Sequence, residues 1–535
     1  MNPRHHPFFM GRKAVICECS SNGTFLVEDC RNLGLEPVAV YLPIPDEDDS
    51  LVGMLRRSSE KALEGVEVIH APNAEEVARM LSGSDVACVI AGSEFGVPCA
   101  DELSRILGLP GNDPPTTRDR TEKLYMHMAL ERAGLRSIRT SRIDSAEDLE
   151  RFWKGTPVVL KPSRSGGTVG FHLCRTLDEC IEAFSEISGS ADWVGGGDNI
   201  TIVQDFIEGP EFIVNTLSRD GVHRVTDMWA YHKQNVGIGM AYDCAMTVTD
   251  PSPIEEAVAS YAVDVLRATG MENGPAHIEV KSDKEGPVLI EINARPMGGA
   301  FTRESLDRTL GHHITDLALR SAVDPGFIST LPEGIPPLRE FILKVMIVHE
   351  DRYVDTGPLY EVVRGFRSFN RIVCPFRQGE RVFVRKTEDL ELSPASVELI
   401  QPDGGSAMDD FALLSNMEKR FPDLLYGTDA AFKSAQPASL DVPESFARLD
   451  DDGLHLPEGR CRGLTVTATR MSQEGFYRAL YSGIASVPSG GEVVVDRCVE
   501  DMVPYGRKGL NVLLMVAGLE FDLLADDGPL VAVKP

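Results

Sequence analysis

The stretch VLIEINARPMGGAF, residues 288–301, is an apolar run that ends in Glu291-x-Asn293-x-Arg295 and then a glycine pair, Gly298-Gly299. Successive side chains of a strand point to opposite faces, so the carboxylate, the amide and the guanidinium are expected on one face. Two oxygen ligands beside a fixed cation suit a hard metal and an anion held together. The residues just upstream extend this picture. AHIEVKSDKEGPVLIEIN, 276–293, reads as two alternating strands around a polar, Gly-containing turn. Such a hairpin brings Glu279 beside Glu291, where two carboxylates repel unless a cation lies with them. With Asn293, phosphate oxygens and water, they complete the oxygen set of an octahedral magnesium site. A structural ion-pair network is the plainer alternative, but positive partners on that face are few.

Lysine is scarce in this chain, 14 against 39 arginines, so each lysine at a strand end or helix start carries weight. PVVLKPSRSGGTVGFHLC, 157–174, reads as strand, Gly-rich loop, strand, with Lys161 where the first strand ends. Backbone amides of such a loop can wrap phosphate oxygens, and the lysine supplies a point charge. A tight hairpin would need the same glycines, so this signal alone is weak. Lys123 sits at the start of the helix TEKLYMHMALERAG, 121–134, where Leu124 and Met128, with Leu135 just beyond, recur at helical spacing. Gln204 and Glu211 lie in IVQDFIEGPE, a strand that bends at Gly-Pro and resumes. Gln204 suits a base edge and Glu211 a pair of ribose hydroxyls, unless both are ordinary edge-strand polarity.

Around these motifs the chain alternates strands and helices. Residues 13–17 and 37–42 read as buried strands flanking a helix at 24–34; 74–83 is a helix and 85–92 a strand. That pattern predicts an open parallel α/β sheet. Neither GxGxxG nor GxxxxGK[ST] occurs, so no dinucleotide or P-loop reading is supported. GNDPPTTRDR, 111–120, is a turn-rich hinge, 210–229 a hairpin turning at Asp220-Gly221, and 255–270 an amphipathic helix. After 325 the texture changes to short strands (339–350, 380–387) and a helix near 408–420. SAQPASLDVPES, 434–445, has linker composition, and a helix (472–484) with three strand-like runs follows it.

The whole-chain figures exclude several classes. A net charge of -29 leaves no excess of Lys or Arg to neutralise phosphates, so no nucleic-acid partner is expected. No run of about 18 apolar residues spans a membrane, and the N-terminus lacks a secretory pattern, so a cytoplasmic address is expected. The 11 cysteines include no CxxC pair and read as small buried residues of a reducing compartment.

Taken in order, these pieces resemble the ATP-grasp superfamily. Lys123 with its helix, Lys161 with the Gly-rich loop, Gln204, Glu211, and then Glu279, Glu291, Asn293 and Arg295 follow one another as they do there, over roughly residues 1–430. EINARPMGG looks most like the amino-acid ligase and carboxylate–amine ligase branch. The resemblance implies an ATP-grasp fold of class α/β with α+β lobes. Residues 1–112 would be an N-terminal open parallel α/β domain and 113–433 the catalytic domain, with its lid near 163–170. Residues 446–535 would be a C-terminal accessory α+β module.

It also implies that Lys123, Lys161, Ser163, Gly166, Gly167 and Thr168 surround the phosphates of ATP. Gln204 would stand where many members carry a Glu facing the adenine amino group, and Glu211 would hold the ribose. Glu279, Glu291 and Asn293 would hold Mg2+, with Mn2+ able to substitute, and Arg295 and Lys161 would act in catalysis. Small-molecule carboxylate and amine substrates are expected, near Arg295, Gly298, Gly299 and His232, with Lys233 beside it, in the loop 231–244, unless the last two are ordinary exposed loop residues; a homodimer is left open. The activity implied is an ADP-forming ligase that makes an amide or peptide bond through an acyl phosphate, with an amino acid as one substrate. Two alternatives stand beside it. One is a bicarbonate-activating carboxylase of the same superfamily; the other is a nucleotide-binding regulator without turnover, which the intact Glu279, Glu291, Asn293 and Arg295 disfavour.

Overall fold

The computed structural model describes residues 11–44, 51–164, 170–189, 200–235, 240–299, 301–350, 352–374, 381–384 and 393–427, and short strands beyond them. The chain divides into two compact units, Met1–Phe341 and Ile342–Pro535, a division that falls inside the stretch 113–433.

The first unit begins with β1 (Lys13–Cys17), α1 (Phe25–Leu33), β2 (Glu36–Tyr41), α2 (Leu51–Ser59), β3 (Glu67–His70), α3 (Ala74–Met80), β4 (Val86–Ala91) and α4 (Val97–Leu107). The four strands run parallel in the order β3-β2-β1-β4, as the alternation of strand and helix predicts. The order reverses at β1 and β4, and the crevice beyond their carboxyl ends is where open α/β sheets take ligands. There the two connecting loops touch closely: a Cβ on Gly23 would stand 2.1 Å from the Gly92 carbonyl oxygen, so only glycine fits.

The hinge that follows is pinned rather than loose. Arg120, fully buried, donates to Asp101 Oδ2 at 2.8 Å and to the carbonyls of Thr269 and Gly270 at 2.8 and 3.0 Å. It lies in α5 (Arg118–Thr121), and α6 (Lys123–Arg132) starts only after the extended Glu122. The helix expected from residue 121 is thus broken at 122, because its first amides are taken elsewhere: Lys123 N donates to Ser163 O at 3.0 Å and Leu124 N to Ser163 Oγ at 3.3 Å. The expected buried face is also corrected. Met128 is exposed and Leu124 only half-buried, whereas Lys123, Met126, His127, Ala129 and Leu130 face inward.

A four-stranded antiparallel sheet comes next, from β5 (Thr140–Ile143), β6 (Val158–Pro162), β7 (His172–Cys174) and β8 (Thr201–Asp205) in the order β5-β8-β6-β7. The helices α7 (Ala146–Phe152) and α8 (Leu177–Gly189) cover it, closing a core of Leu149, Val158, Leu160, Cys180 and Val203. The site-bearing sheet contains β9 (Glu211–Arg219), β10 (Val222–Asn235), β11 (Met240–Thr247), β12 (Gly274–Asp283) and β13 (Gly286–Asn293), ordered β13-β12-β9-β10-β11. The β9–β10 turn has Asp220 at φ 49° and Gly221 at φ 75°, the paired positive φ of a tight hairpin turn. The capping box of α9 (Pro253–Ala268), built on Ser252 and Glu255, fixes a helix that buries Val258, Val265 and Leu266 against this sheet. One apolar cluster runs from Val15 and Val38 of the parallel sheet to Val214 and Ile292 here, so both sheets share a core.

In the second unit, Phe369–Val373 pairs antiparallel with Ser396–Ile400 and Arg352–Asp355 with Arg381–Val384, and Met408–Arg420 is helical as expected. Lys344 and Glu418 form a fully buried ion pair at 2.6 Å there. Phe446–Asp450, Gly463–Val466 and Glu492–Val495 are parallel neighbours, with Leu530–Val533 antiparallel beside them. The linker 434–445, the helix 472–484 and the strand-like run 510–518 lie outside the described residues. Among the described residues no helix is long and apolar enough to cross a membrane.

Candidate active site

A cavity of about 380 Å³ opens between the two antiparallel sheets of the first unit. Lys123, Lys161, Gln204, Glu211, His232, Glu279 and Glu291, singled out from the sequence in scattered segments, all line it. Ile138, Val159 and Phe206 add an apolar wall, so one flat apolar group fits at one end and many charges meet at the other.

The charged end rests on the β12–β13 hairpin. Glu279 and Glu291 are direct cross-strand partners. Asn293 Nδ2 donates to Glu291 Oε1 at 3.2 Å, so alternation does place Glu291 and Asn293 together. It does not carry through to Arg295: the strand ends at Asn293, and Arg295 N donates back to Asn293 O at 2.8 Å, closing a turn. Arg295 sits in this turn, with Nη1 donating to Pro296 O at 3.0 Å.

Lys123 Nζ lies 2.7 Å from Glu291 Oε2. Burial pulls the lysine pKa down, but Glu291 and Glu94 outweigh it and hold the ammonium above its ordinary value. Burial likewise favours neutral Glu291, yet the Lys123 charge and hydrogen bond keep its carboxyl well below the usual range. Lys161, 8% exposed, is different: burial first, and then the Lys123 charge, push its pKa down to about 8. His127, one turn along α6 from Lys123, is held neutral by burial and by both lysines, its pKa near 3.

The other end is built on the Gly209-Pro210 bend. A Cβ on Gly209, at φ 143°, would stand 2.2 Å from Ser282 O, so only glycine lets this crossing lie against β12. The bend delivers Glu211, which pairs with Lys233 Nζ at 2.6 Å and reaches Lys281 Nζ at 3.9 Å. Gln204 Nε2 donates to Thr140 Oγ1 at 2.9 Å. The stretch 231–244, expected as a loop, is a strand pair, β10 with β11, around residues outside the described set. Tyr231, His232 and Lys233 all line the cavity, where the β10–β11 register shifts between His232 and Lys233 and leaves Asp243 of β11 unpaired with β10.

Ser163 caps α6 as described, from the end of β6, while Gly166, Gly167 and Thr168 lie outside the described residues. Gly298 and Gly299 stand apart from the cavity lining, on the Arg295 turn. A Cβ on Gly298 would lie 3.9 Å from both Arg295 Nη1 and Ser21 Oγ, and Asn22 Nδ2 donates to Met297 O at 2.9 Å. The turn therefore meets the crevice at the ends of β1 and β4. Glu94 belongs to that crevice. Burial raises its pKa, opposed by the Arg295 charge, so it shares the field of the site. Sequence reading missed Glu94 and Lys281, and placed Lys233 with His232 as a loop residue facing substrate; the scarcity of lysine was the one signal for Lys281.

Among the described residues no group of three or more His, Cys, Asp and Glu side chains is poised for a metal. Two opposed carboxylates with an adjoining amide fit a magnesium ion only as a shared ligand set, completed by phosphate oxygens and water. Lys123 on Glu291 supplies the positive charge those carboxylates require.

Comparison with known proteins gives the family. The sequence model of the ATP-grasp domain matches residues 154–304. Dapdiamide A synthase of Enterobacter agglomerans is 30% identical over 305 residues, 56% of this chain and 70% of that protein. Alanine–anticapsin ligase of Bacillus subtilis (strain 168) is 25% identical over 50% of this chain and 60% of its own length. The crystal structure of L-amino acid ligase from Bacillus licheniformis superposes with a TM-score of 0.57 at 20% identity, covering 76% of this chain and 97% of that one.

Proposed function

The chain belongs to the ATP-grasp family, in its carboxylate–amine ligase branch, and we propose that it phosphorylates a carboxylate with ATP and joins it to the amine of an amino acid. The observation that carries this reading is the single cavity in which four lysines, Lys123, Lys161, Lys233 and Lys281, face two cross-strand carboxylates. A carboxylate is a poor electrophile, because its leaving group would be oxide. Transfer of the γ-phosphoryl gives an acyl phosphate, and attack by the amine then expels phosphate.

In this reading the adenine lies against Ile138, Val159 and Phe206 near Gln204, with Glu211 toward the ribose. Lys123 and Lys161 hold the phosphates. Glu279, Glu291 and Asn293 would hold Mg2+, which neutralises the transferring group when bound. Arg295 grips the carboxylate or the forming acyl phosphate at the crevice of the parallel sheet. Glu94, beside it, suits the ammonium of an amino acid, whose two opposite charges match this pair. The protein's work is then positioning, electrostatics and exclusion of water.

The test is a screen of amino-acid pairs for ADP release, with and without bicarbonate. Stoichiometric ADP and phosphate with an amide product is expected. AMP and pyrophosphate would sink the acyl-phosphate route, and bicarbonate-dependent turnover without an amine would favour carboxylation.

A second expectation comes from Lys161. Its pKa of about 8 belongs to the nucleotide-free protein; phosphate oxygens beside it would raise that value. Binding should then draw a proton onto Lys161 above about pH 8. Affinity for ADP should be full below that pH and weaken as pH rises beyond it. Calorimetry at pH 8.5 in buffers of different ionisation enthalpy checks this, with net proton uptake as the expected sign; Lys161→Met should abolish the uptake.

A further inference from the structure

The apolar end of the cavity carries a polar group whose orientation is set from behind. Gln204 lies on β8, between β5 and β6, with Thr140 as its register partner on one side and Val159 on the other. Directly opposed residues of neighbouring strands share a face, so Thr140, Gln204 and Val159 stand in a row. Gln204 and Val159 line the cavity; Thr140, at the end of the row, lies outside the lining. Gln204 is 2% exposed, so water does not compete for its amide.

The direction of each bond in this row follows from the carbonyl at its end. Thr140 Oγ1 lies 2.8 Å from Ile138 O, and a carbonyl only accepts, so the Thr140 hydrogen is directed there. Ser137 Oγ reaches the same carbonyl only at 3.4 Å. With its hydrogen committed, Thr140 Oγ1 can only accept from Gln204. Gln204 therefore turns its NH2 to Thr140, and Nε2 donates to Oγ1 at 2.9 Å. An amide has one donor end and one acceptor end, so Oε1 is the end left for the cavity. Asp205, the next carboxylate in the lining, has each oxygen engaged by Arg139, at 2.6 and 2.9 Å. The pocket walled by Ile138, Val159 and Phe206 thus offers a flat base an acceptor of settled direction.

That direction has a chemical consequence. A 6-amino purine carries a donor at position 6, and a 6-oxo purine carries an acceptor there. Against a fixed Oε1 the first gains a hydrogen bond, whereas the second sets two acceptors face to face. To take a 6-oxo purine the amide must turn over. Oε1 would then face Thr140 Oγ1, which has to give up Ile138 O to donate to it. A carboxylate at this position would need no such control, because both its oxygens accept. An amide does need it.

We propose that Thr140 is a specificity-determining positioning residue, which fixes the Gln204 amide with its oxygen toward the base and so selects a 6-amino purine over a 6-oxo purine. The proposal rests on the reading that places the base against Ile138, Val159 and Phe206. Thr140 acts only through Gln204.

The experiment is calorimetric binding of ADP and of inosine diphosphate (IDP) to the full chain, with thermal melting measured alongside. The parent is expected to prefer ADP by about 10–100-fold. Thr140→Val keeps the shape and removes the hydroxyl, so the amide is free to turn. IDP should then bind about 2–10-fold tighter, the worth of the hydrogen bond no longer broken, while ADP binds no tighter. A gain in IDP affinity is a sign that damage to the fold does not give. Thr140→Ser should keep the parent preference, and Thr140→Ala serves if the valine variant does not fold. In a Gln204→Glu background, Thr140→Val should leave the ratio of the two affinities unchanged, because a carboxylate has no donor end to turn. A parent that prefers ADP and a Thr140→Val variant with the same ratio overturn the role of Thr140 and leave the base where it is placed. Equal binding of ADP and IDP by the parent overturns the placement of the base against Gln204, and the proposal with it. No binding of ADP overturns the nucleotide reading of the cavity. A ratio that shifts equally in the Gln204→Glu background overturns the claim that Thr140 acts through the amide.

Discussion

Glu291→Gln is expected to lower turnover by on the order of 10²–10³ and to destabilise the nucleotide-free protein by about 3 kcal/mol. Both effects have one origin. Glu291 is the acceptor of Lys123 Nζ at 2.7 Å, in a pair whose side chains are 7% and 17% exposed. Removing one partner of such a pair strands the other charge away from water. Glu94 and Glu279 remain in its field, so the loss should fall at the low end of the range for buried pairs. With nucleotide present the logic inverts. Phosphate oxygens can replace Glu291 beside Lys123, so metal-free ADP should bind the variant at least as tightly as the parent. What the amide cannot supply is the negative charge opposite Glu279 that a magnesium ion would need. Urea unfolding of the free protein, metal-free ADP binding, and ADP release across a magnesium titration separate these three effects. Near-normal turnover at limiting magnesium would remove Glu291 from the metal site.

The parts of the fold that were legible in the sequence are those set by local chemistry. Asp220-Gly221 allows a turn with both residues at positive φ, and the distant bonds it makes, from Asp220 N to Asn273 Oδ1 and from Gly221 N to Glu272 O, leave that turn in place. The 276–293 hairpin forms as read, but Glu279 stands opposite Glu291 through a register shift between Glu279 and Val280 that leaves Ile290 as the extra residue, which alternation alone does not give. Helix α6 shows where this reasoning fails. Counting apolar residues chose Leu124 and Met128 as the inward face. The inward face instead carries Lys123 and His127, because it fronts a charged cavity as well as a core. A pattern of hydrophobicity cannot see a buried surface that is polar for functional reasons.

The candidate site was legible where its residues sit in ordered motifs and opaque where they meet through tertiary structure. Lys233 reaches Glu211 because β10 pairs Tyr231, two residues before it, with Glu211 of β9, a pairing that local periodicity does not show. Glu94 follows β4 of the parallel sheet and enters the field of Arg295 and Glu291 through packing of separate segments. Arg295 itself was assigned to a strand face by extrapolating alternation two residues too far. The turn at Asn293 carries it instead to the side of Gly298 that also meets Ser21, at the crevice of the parallel sheet.

That placement sharpens the expectation for Arg295→Lys. A residue that merely balanced charge at a strand end would tolerate lysine. A residue that grips two oxygens would not, since guanidinium is a planar fork and ammonium a single, strongly hydrated point. Nη1 is already held by Pro296 O at 3.0 Å, so the guanidinium plane is oriented before any substrate arrives. Lysine loses that preorganisation along with the second donor. Losing a preorganised donor to developing charge costs about 3–4 kcal/mol, on the order of 10²–10³ in rate. Nucleotide affinity should be unchanged, because Lys123, Lys161 and Glu211 lie in the cavity and Arg295 lies outside its lining. ATP binding at parent strength with amine-dependent ADP release reduced by that factor is the expected pair of results. A lysine variant with parent turnover would reduce Arg295 to a structural cation of the turn, and the carboxylate would have to be sought against another positive group.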